Sequence, residues 1–465
     1  MAKREAKLCV IGGGGVRTPF VAKTIATHAK AAGIKELVLF DTDLFKLEKF
    51  GKLSAEIARR IDSNLEVTLA SNPEIALVDC DYIITTVRAG GDAARREDEK
   101  IVGKYGLLTQ ETTGACGFAM AMRSIPVISQ YCELAKQIAK PNHLVFNFTN
   151  PAGMVTQALI DQGYPVYGIC DSPYELIRQL RELLGVAVKD AFSCNTFGLN
   201  HLSWFNQFQI NGIDVTDKVI NHPDLFTKTE MRIFDHDILS FSDNYLLNEY
   251  LYFYLYSQKA MRLTLQSGQT RGELIEDVNR KMNTALESVD VSDDFDLALK
   301  VFFDNYNIRE NSYLKNESGV DRVKSYTTPT VSEFIEQEDA GGYAGVAMRL
   351  ILALTSQNSS QMVLSVKNQG AIPWLADGDV VEVMCDVNSE GIFPQKQINI
   401  PKPIQNMIET MKEYERLAVA AILDGNKDLA VKALTINPLV ANHDLAKNIV
   451  SDFVSTYGEY GKEWK

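Results

Sequence analysis

The chain has 465 residues, 46% hydrophobic and 23% charged, a balance that excludes wholesale disorder, a collagen-like fibre and a long coiled coil. Its 47 Lys and Arg against 60 Asp and Glu leave a net charge of −13, so the basic footprint of sequence-independent nucleic-acid binding is missing. No run approaches the ~20 apolar residues needed to span a bilayer, and the seven scattered cysteines contain no CxxC pair.

Met1-Ala2-Lys3-Arg4-Glu5 leads straight into an apolar strand, with no signal-peptide cleavage pattern. A reducing cytoplasm, with no membrane and no nucleic-acid partner, is the expected setting. Residues 7–11 form a short apolar run that stops at Gly12. Residues 19–32 have helical character, 36–40 are a second apolar run ending at Asp41, and 44–61 read as an amphipathic helix. Residues 66–70, 81–87, 144–148 and 166–170 read as four further strands, with helical stretches between most of them. Short, continuously apolar strands alternating with helices mark a parallel sheet covered on both faces. The expected architecture is a doubly wound, Rossmann-like α/β domain over residues 1–195.

Residues 196–465 are less regular and are expected to form an α+β substrate domain. Residues 205–219 resemble a hairpin turning at Asn211-Gly212, and 380–387 alternate like a strand. Residues 250–261, 273–285, 403–423 and 426–434 look helical, followed by a polar tail. With no repeat and no Pro- or Ser-rich linker, the two parts are expected to share an extensive interface, a common place for ligands.

Between the first strand and the first helix stands Gly12-Gly13-Gly14-Gly15-Val16-Arg17-Thr18-Pro19. Glycines there permit a tight turn and let backbone N–H groups approach a pyrophosphate at the helix start. Arg17 takes the place of the third glycine of G-x-G-x-x-G, so the pattern is partial. Asp41 ends the second strand, where a carboxylate accepts from ribose hydroxyls and repels a 2′-phosphate, which favours NAD over NADP. Asp43 is the alternative, and a helix N-cap before Leu44 is the plain reading of Asp41. Gly12, Gly13, Gly14, Gly15, Val16 and Asp41 are the candidate cofactor contacts.

Cys170 closes the sixth strand at the carboxyl edge of the sheet, and His201 lies in an Asn-His-Leu-Ser-Trp stretch. A thiolate and an imidazole suit a divalent metal with open positions, although a buried Cys and a satisfied His explain the spacing equally well. Asn150, before Pro151, is either a turn former or an amide for sugar hydroxyls. Arg88, beside Gly90 and Gly91, and Arg271, at an apparent helix start, suit phosphate or a surface ion pair. The run Tyr250-Leu251-Tyr252-Phe253-Tyr254-Leu255-Tyr256 is by itself a helix with two aromatic faces, for which core packing is the default.

Taken with the glycine loop, four further segments resemble glycoside hydrolase family four, the NAD- and metal-dependent phosphoglycosidases. They are Val87-Arg88-Ala89-Gly90-Gly91, Gln110-Glu111-Thr112-Thr113-Gly114, Asn147-Phe148-Thr149-Asn150-Pro151, and the pair Gly168-Ile169-Cys170-Asp171 with Gly198-Leu199-Asn200-His201. The fold that this implies is that of lactate and malate dehydrogenases. The resemblance implies that Cys170 and His201 hold a divalent ion, usually Mn²⁺, and that Asn150, Glu111, Arg88 and Arg271 contact a 6-phosphosugar. It also implies Tyr250 as base, with Tyr254 as the fallback one turn on, and Asp171 as acid assistance to the leaving group.

The reaction so implied is hydrolysis of a phosphorylated disaccharide or aryl 6-phospho-glucoside to glucose 6-phosphate. NAD⁺ takes hydride from C3, the base removes the C2 proton, the aglycone leaves C1, water adds and the hydride returns. A homodimer or homotetramer is expected. Cys170-Asp171 resembles α-type members, whereas Val16-Arg17-Thr18-Pro19, Gln110 through Gly114 and Gly117-Phe118-Ala119 resemble β-type ones. A 6-phospho-β-glucosidase is favoured over the α-type. A malate/lactate-type dehydrogenase using His201 with Arg88 or Arg123 is the rival, but it leaves Cys170 and the tyrosine run without a task; a non-catalytic NAD sensor is the third reading, against which the intact motifs across both halves count.

Overall fold

The computed structural model describes residues 5–323, 325–337, 341–356 and 359–465; Met1 to Arg4, part of the leader reading, lie outside them. The apolar runs form parallel strands β1 (Ala6–Ile11), β2 (Ile34–Phe40), β3 (Glu66–Ala70), β4 (Tyr82–Thr85), β5 (Leu144–Asn147) and β6 (Val166–Gly168). Leu8, Val10, Leu37, Val38, Leu39, Ile83 and Val145 are buried, as a sheet covered on both faces requires. Their spatial order is β3-β2-β1-β4-β5-β6, the doubly wound α/β order expected, which opens a crevice beyond the carboxyl ends of β1 and β4.

The sheet does not stop there. The later strands are β7 (Phe192–Leu199), β8 (Leu202–Ile210), β9 (Ile213–Asp214), β10 (Leu246–Leu247), β11 (Ser360–Lys367), β12 (Val380–Asn388) and β13 (Gly391–Pro394). Among the described residues they continue one 13-stranded sheet through β11, which is antiparallel to β6 at Ser365 and Gly168. The position 195/196 falls inside β7, and the chain leaves the parallel half in residues 184–191.

Several expectations are corrected. The helix at 44–61 is interrupted by a widened turn, Leu47–Gly51, that sits beside the glycine loop. The hairpin at Asn211-Gly212 exists but is short, because β9 has two residues and a helix, Thr216–Ile220, follows. The longer hairpin joins β7 to β8 at Asn200-His201. Residues 250–261 form two helices, Leu251–Leu255 and Ser257–Ser267, that part at Tyr256. The polar tail contains a helix, His443–Tyr457, capped by Asn442 and burying Ala446, Ile449, Val450, Phe453 and Tyr457 at helical spacing. Helices Phe295–Asn311 and Gly342–Thr355, with β11 and the strand β7, had no counterpart in the sequence reading. Among the described residues no helix is long and apolar enough to cross a membrane.

Candidate active site

Five loops at the carboxyl edge of the sheet converge on one large cavity. Gly12, Gly14, Gly15, Val16, Asp41, Arg88, Glu111, Asn150, Asp171, His201, Tyr250 and Arg271 all line it. Gly13 and Cys170 do not appear on its wall. Gly13 faces β2, where a Cβ would stand 2.8 Å from Leu39. Cys170 is buried just behind Asp171.

The glycine loop is built for close approach. Gly12 has φ +98°, and a Cβ there would lie 2.5 Å from the Thr86 carbonyl oxygen, so only glycine fits. The Asp41 carboxylate accepts from the N–H of Gly14 at 2.9 Å and of Asp43 at 3.0 Å. It thus fixes the loop while keeping acceptor positions for a ribose. Asp43, not Asp41, caps the following helix, accepting from the Lys46 N–H.

His201 sits in the two-residue turn between β7 and β8 at φ +62°, a conformation that His tolerates better than most residues. Thr112 donates its hydroxyl to the Gln110 amide oxygen at 3.1 Å, which leaves the Thr112 oxygen to accept from His201 Nδ1 at 3.1 Å. This network assigns the proton to Nδ1 and leaves the Nε2 lone pair for a metal. Burial pushes the imidazole down to about 3, so it is neutral, as a ligand must be. Burial, Glu382 and Asp171 push the Cys170 thiol up, while the Asn200 amide favours the thiolate. Among the described residues no group of three or more His, Cys, Asp or Glu forms a closed metal site. Cys170 and His201 alone therefore do not make a closed structural site.

Tyr250 stacks flat on His201, with centroids 3.7 Å apart and planes at 2°. Its hydroxyl lies 3.2 Å from that of Tyr313, which donates to Glu249 at 2.7 Å. Burial and Glu249 push the Tyr250 phenol well up, and Cys170 is among the charges it feels. Tyr254 does not line this cavity; it lines a small adjoining pocket with Tyr414 and Glu415, which His201 and Thr112 also border.

Next to Thr112, Glu111 pairs with Arg88 and, at 2.5 Å, with Arg95. Burial opposes its ionisation, but Arg88, Arg95 and Arg309 outweigh burial and bring the carboxyl down to about 2. Glu111 is thus a holder of arginines before it is a sugar contact. The Arg88 loop is braced from behind by Arg123, which donates to the Ala89 carbonyl at 3.1 Å and pairs with buried Asp98. That structural task removes Arg123 from the dehydrogenase reading. Arg271 starts the helix Arg271–Glu287 and donates to the Ser312 hydroxyl and the Arg309 carbonyl. Asp171 is held by Arg17 at 3.0 Å. Asn150 accepts from the Ala152 N–H at 3.3 Å, leaving its amide N–H₂ toward the cavity.

Glu111→Gln should leave Arg88 without its nearest carboxylate and Arg95 with Glu99 alone, at a cost of about 3–5 kcal/mol of stability at most. Since the folded value is depressed, the stability from Glu111 is complete above its ordinary value of 4.5 and is lost as the pH falls toward 2. Melting temperature against pH should therefore fall more steeply in that window for the wild type than for the variant. Parallel curves would show that the cluster contributes nothing there.

Two family models, described as the family 4 glycosyl hydrolase and its C-terminal domain, match residues 7–186 and 196–440. The chain belongs to glycosyl hydrolase family 4. The 6-phospho-beta-glucosidase BglT of Thermotoga maritima is 28% identical to this family 4 glycosidase, over 98% of this chain and 99% of the relative. A structure of the T. maritima 6-phospho-beta glucosidase with NAD and glucose-6-phosphate matches with a TM-score of 0.79 at 26% identity, covering 99% and 100% of the two chains. The phospho-alpha-glucosidase PagL of Clostridium acetobutylicum is 26% identical, over 99% of each chain. A malate dehydrogenase of Cryptosporidium parvum, 14% identical with a TM-score of 0.50 over 90% of this chain and 99% of that one, shares the fold.

Proposed function

We propose that this family 4 member is a 6-phospho-β-glucosidase that uses NAD and a divalent ion, Mn²⁺ first among them. The observation that carries the reading is that one cavity joins the glycine loop, the His201–Tyr250 stack and the arginine wall around Arg88 and Arg271. The Gly12 cradle and Asp41 fit a dinucleotide, and Cys170 with His201 fits the metal. When bound, NAD accepts and returns a hydride at C3 of the sugar, and the ion lends Lewis acidity to the C2 and C3 oxygens.

The chain's own groups do the rest. Arg88 and Arg271 hold the 6-phosphate, and the Asn150 amide orients the hydroxyls. Tyr250, on the cavity wall where Tyr254 is not, takes the C2 proton. Its raised phenol is protonated at neutral pH, so it takes the C2 proton only as the phenolate, after its own proton has left along Tyr313 toward Glu249, a loss that positive charge held beside it would favour. Tyr313 and Glu249 fix the direction of its hydroxyl. Asp171 is engaged by Arg17 and would reach a leaving group only if Arg17 releases it. That supports the β reading; the Cys170-Asp171 sequence and the α-named relative favour the α-type as second reading. Residues 1–195 would carry NAD and residues 196–465 the substrate, the metal histidine and the contacts of a homodimer or homotetramer.

The test is nitrophenol release from nitrophenyl 6-phospho-β- and α-glucosides with NAD⁺ and Mn²⁺ present. Faster release from the β anomer is expected. Faster release from the α anomer would transfer the assignment to the α-type, and NADH accumulating without nitrophenol would identify a dehydrogenase.

A further inference from the structure

Most of the arginines around the phosphate end of the cavity are already matched by carboxylates. Arg17 pairs with Asp171, Arg88 with Glu111, Arg95 with Glu99 and Glu111, and Arg322 with Glu310 at 3.3 Å. Arg309 differs. It lines the cavity, half-buried, near the end of the helix Phe295–Asn311. Among the described residues its guanidinium makes no ion pair, and its sequence neighbour Glu310 is turned toward Arg322. Its backbone carbonyl accepts from Arg271 Nη2 at 2.8 Å, which ties it to one candidate phosphate arginine. Arg88, the other, is among its charged neighbours, together with Arg17. Burial and these like charges lower the guanidinium to about 10, although Glu310 and Glu111 are near enough to act on it, so it stays charged at neutral pH with no carboxylate in direct contact. A desolvated cation without its anion is costly, and an incoming dianion removes that cost.

We infer that Arg309 is a third arginine of the phosphate subsite and binds the 6-phosphate of the substrate together with Arg88 and Arg271. This rests on the phosphoglucosidase reading above. The planar guanidinium offers two parallel N–H donors to phosphate oxygens, which a lysine cannot reproduce. The alternative anion is the cofactor pyrophosphate, because Arg17 of the glycine loop is also close. Arg309 is, however, hydrogen-bonded to Arg271 and not to that loop.

The full chain, loaded with Mn²⁺, is compared as wild type, Arg309→Gln and Arg309→Lys. Calorimetry measures binding of glucose 6-phosphate, inorganic phosphate, glucose and NAD. Arg309→Gln should weaken glucose 6-phosphate and inorganic phosphate by roughly tenfold to a hundredfold and leave glucose and NAD unchanged. Arg309→Lys should recover part of the loss, and it decides the matter alone if the Gln variant fails to fold. Glucose 6-phosphate affinity within twofold of wild type in both variants would overturn the assignment, as would a loss that falls on NAD instead. A wild type that binds glucose 6-phosphate no better than glucose would overturn the phosphoglucosidase reading itself, and this inference with it.

Discussion

Tyr250→Phe should lower turnover by roughly a hundredfold to ten-thousandfold, the range of a lost general base, while substrate affinity changes little. The phenol oxygen that takes the C2 proton is gone, but the ring that stacks on His201 remains. In heavy water the wild type should place deuterium at C2 of glucose 6-phosphate, and the variant should suppress that exchange with turnover. Ordinary glycosidases with two carboxylates never break the C2–H bond, so a wild-type product free of C2 deuterium would exclude the proposed chemistry. If Tyr250→Phe stays active and Tyr254→Phe is dead, the base lies one helical turn on, and the cavity must reshape to admit it.

The second large effect belongs to the proposed metal pair. Cys170→Ser and His201→Ala should each bring activity to background and abolish saturable Mn²⁺ binding, with NAD affinity kept. Chelation of the wild type should give the same loss, reversed by added Mn²⁺. His201 is set up for this by its neutral, Nδ1-protonated ring, and Cys170 by the Asn200 amide, whose other partner is Glu382 at 3.0 Å. Near-normal turnover of Cys170→Ser at trace metal would place the ion elsewhere. Second-site loss is distinguishable, since changing a supporting group such as Thr112 usually costs only about tenfold to a hundredfold.

The first half of the fold was legible because its information is local. Val10, Leu39 and Ile84 lie in short apolar runs, and Gly12 and Asp41 end two of them. The second half was less so. β11 pairs with β6 and β12, far along the chain, and nothing near residue 360 signals a partner. The β7–β8 turn at Asn200-His201 could have been found from Gly198, where a Cβ would stand 2.2 Å from the Leu202 carbonyl oxygen. Within the site, motif residues were readable and their supports were not. Glu249, Tyr313 and Arg309 carry no motif, and only the packing of the helices Leu251–Leu255 and Phe295–Asn311 around the cavity brings them in. Arg17 was visible as a departure from the glycine pattern, but its hold on Asp171 spans the crevice and leaves no trace in sequence.

The continuous sheet limits how this molecule can move. β6 meets β11 where a Cβ on Gly168 would stand 2.6 Å from that of Ser365 and 2.7 Å from the Thr156 hydroxyl. Gly168 lies immediately before Ile169 and Cys170, and the same ladder reaches β7 and the His201 turn through β12. Swinging one half of the molecule on the other would shear these strands and cost backbone hydrogen bonds across the seam. The two proposed metal donors are therefore carried by one continuous sheet. Such a frame is expected to leave admission and release of ligands to the helices and loops above the sheet edge and to hold the spacing of the two proposed donors constant.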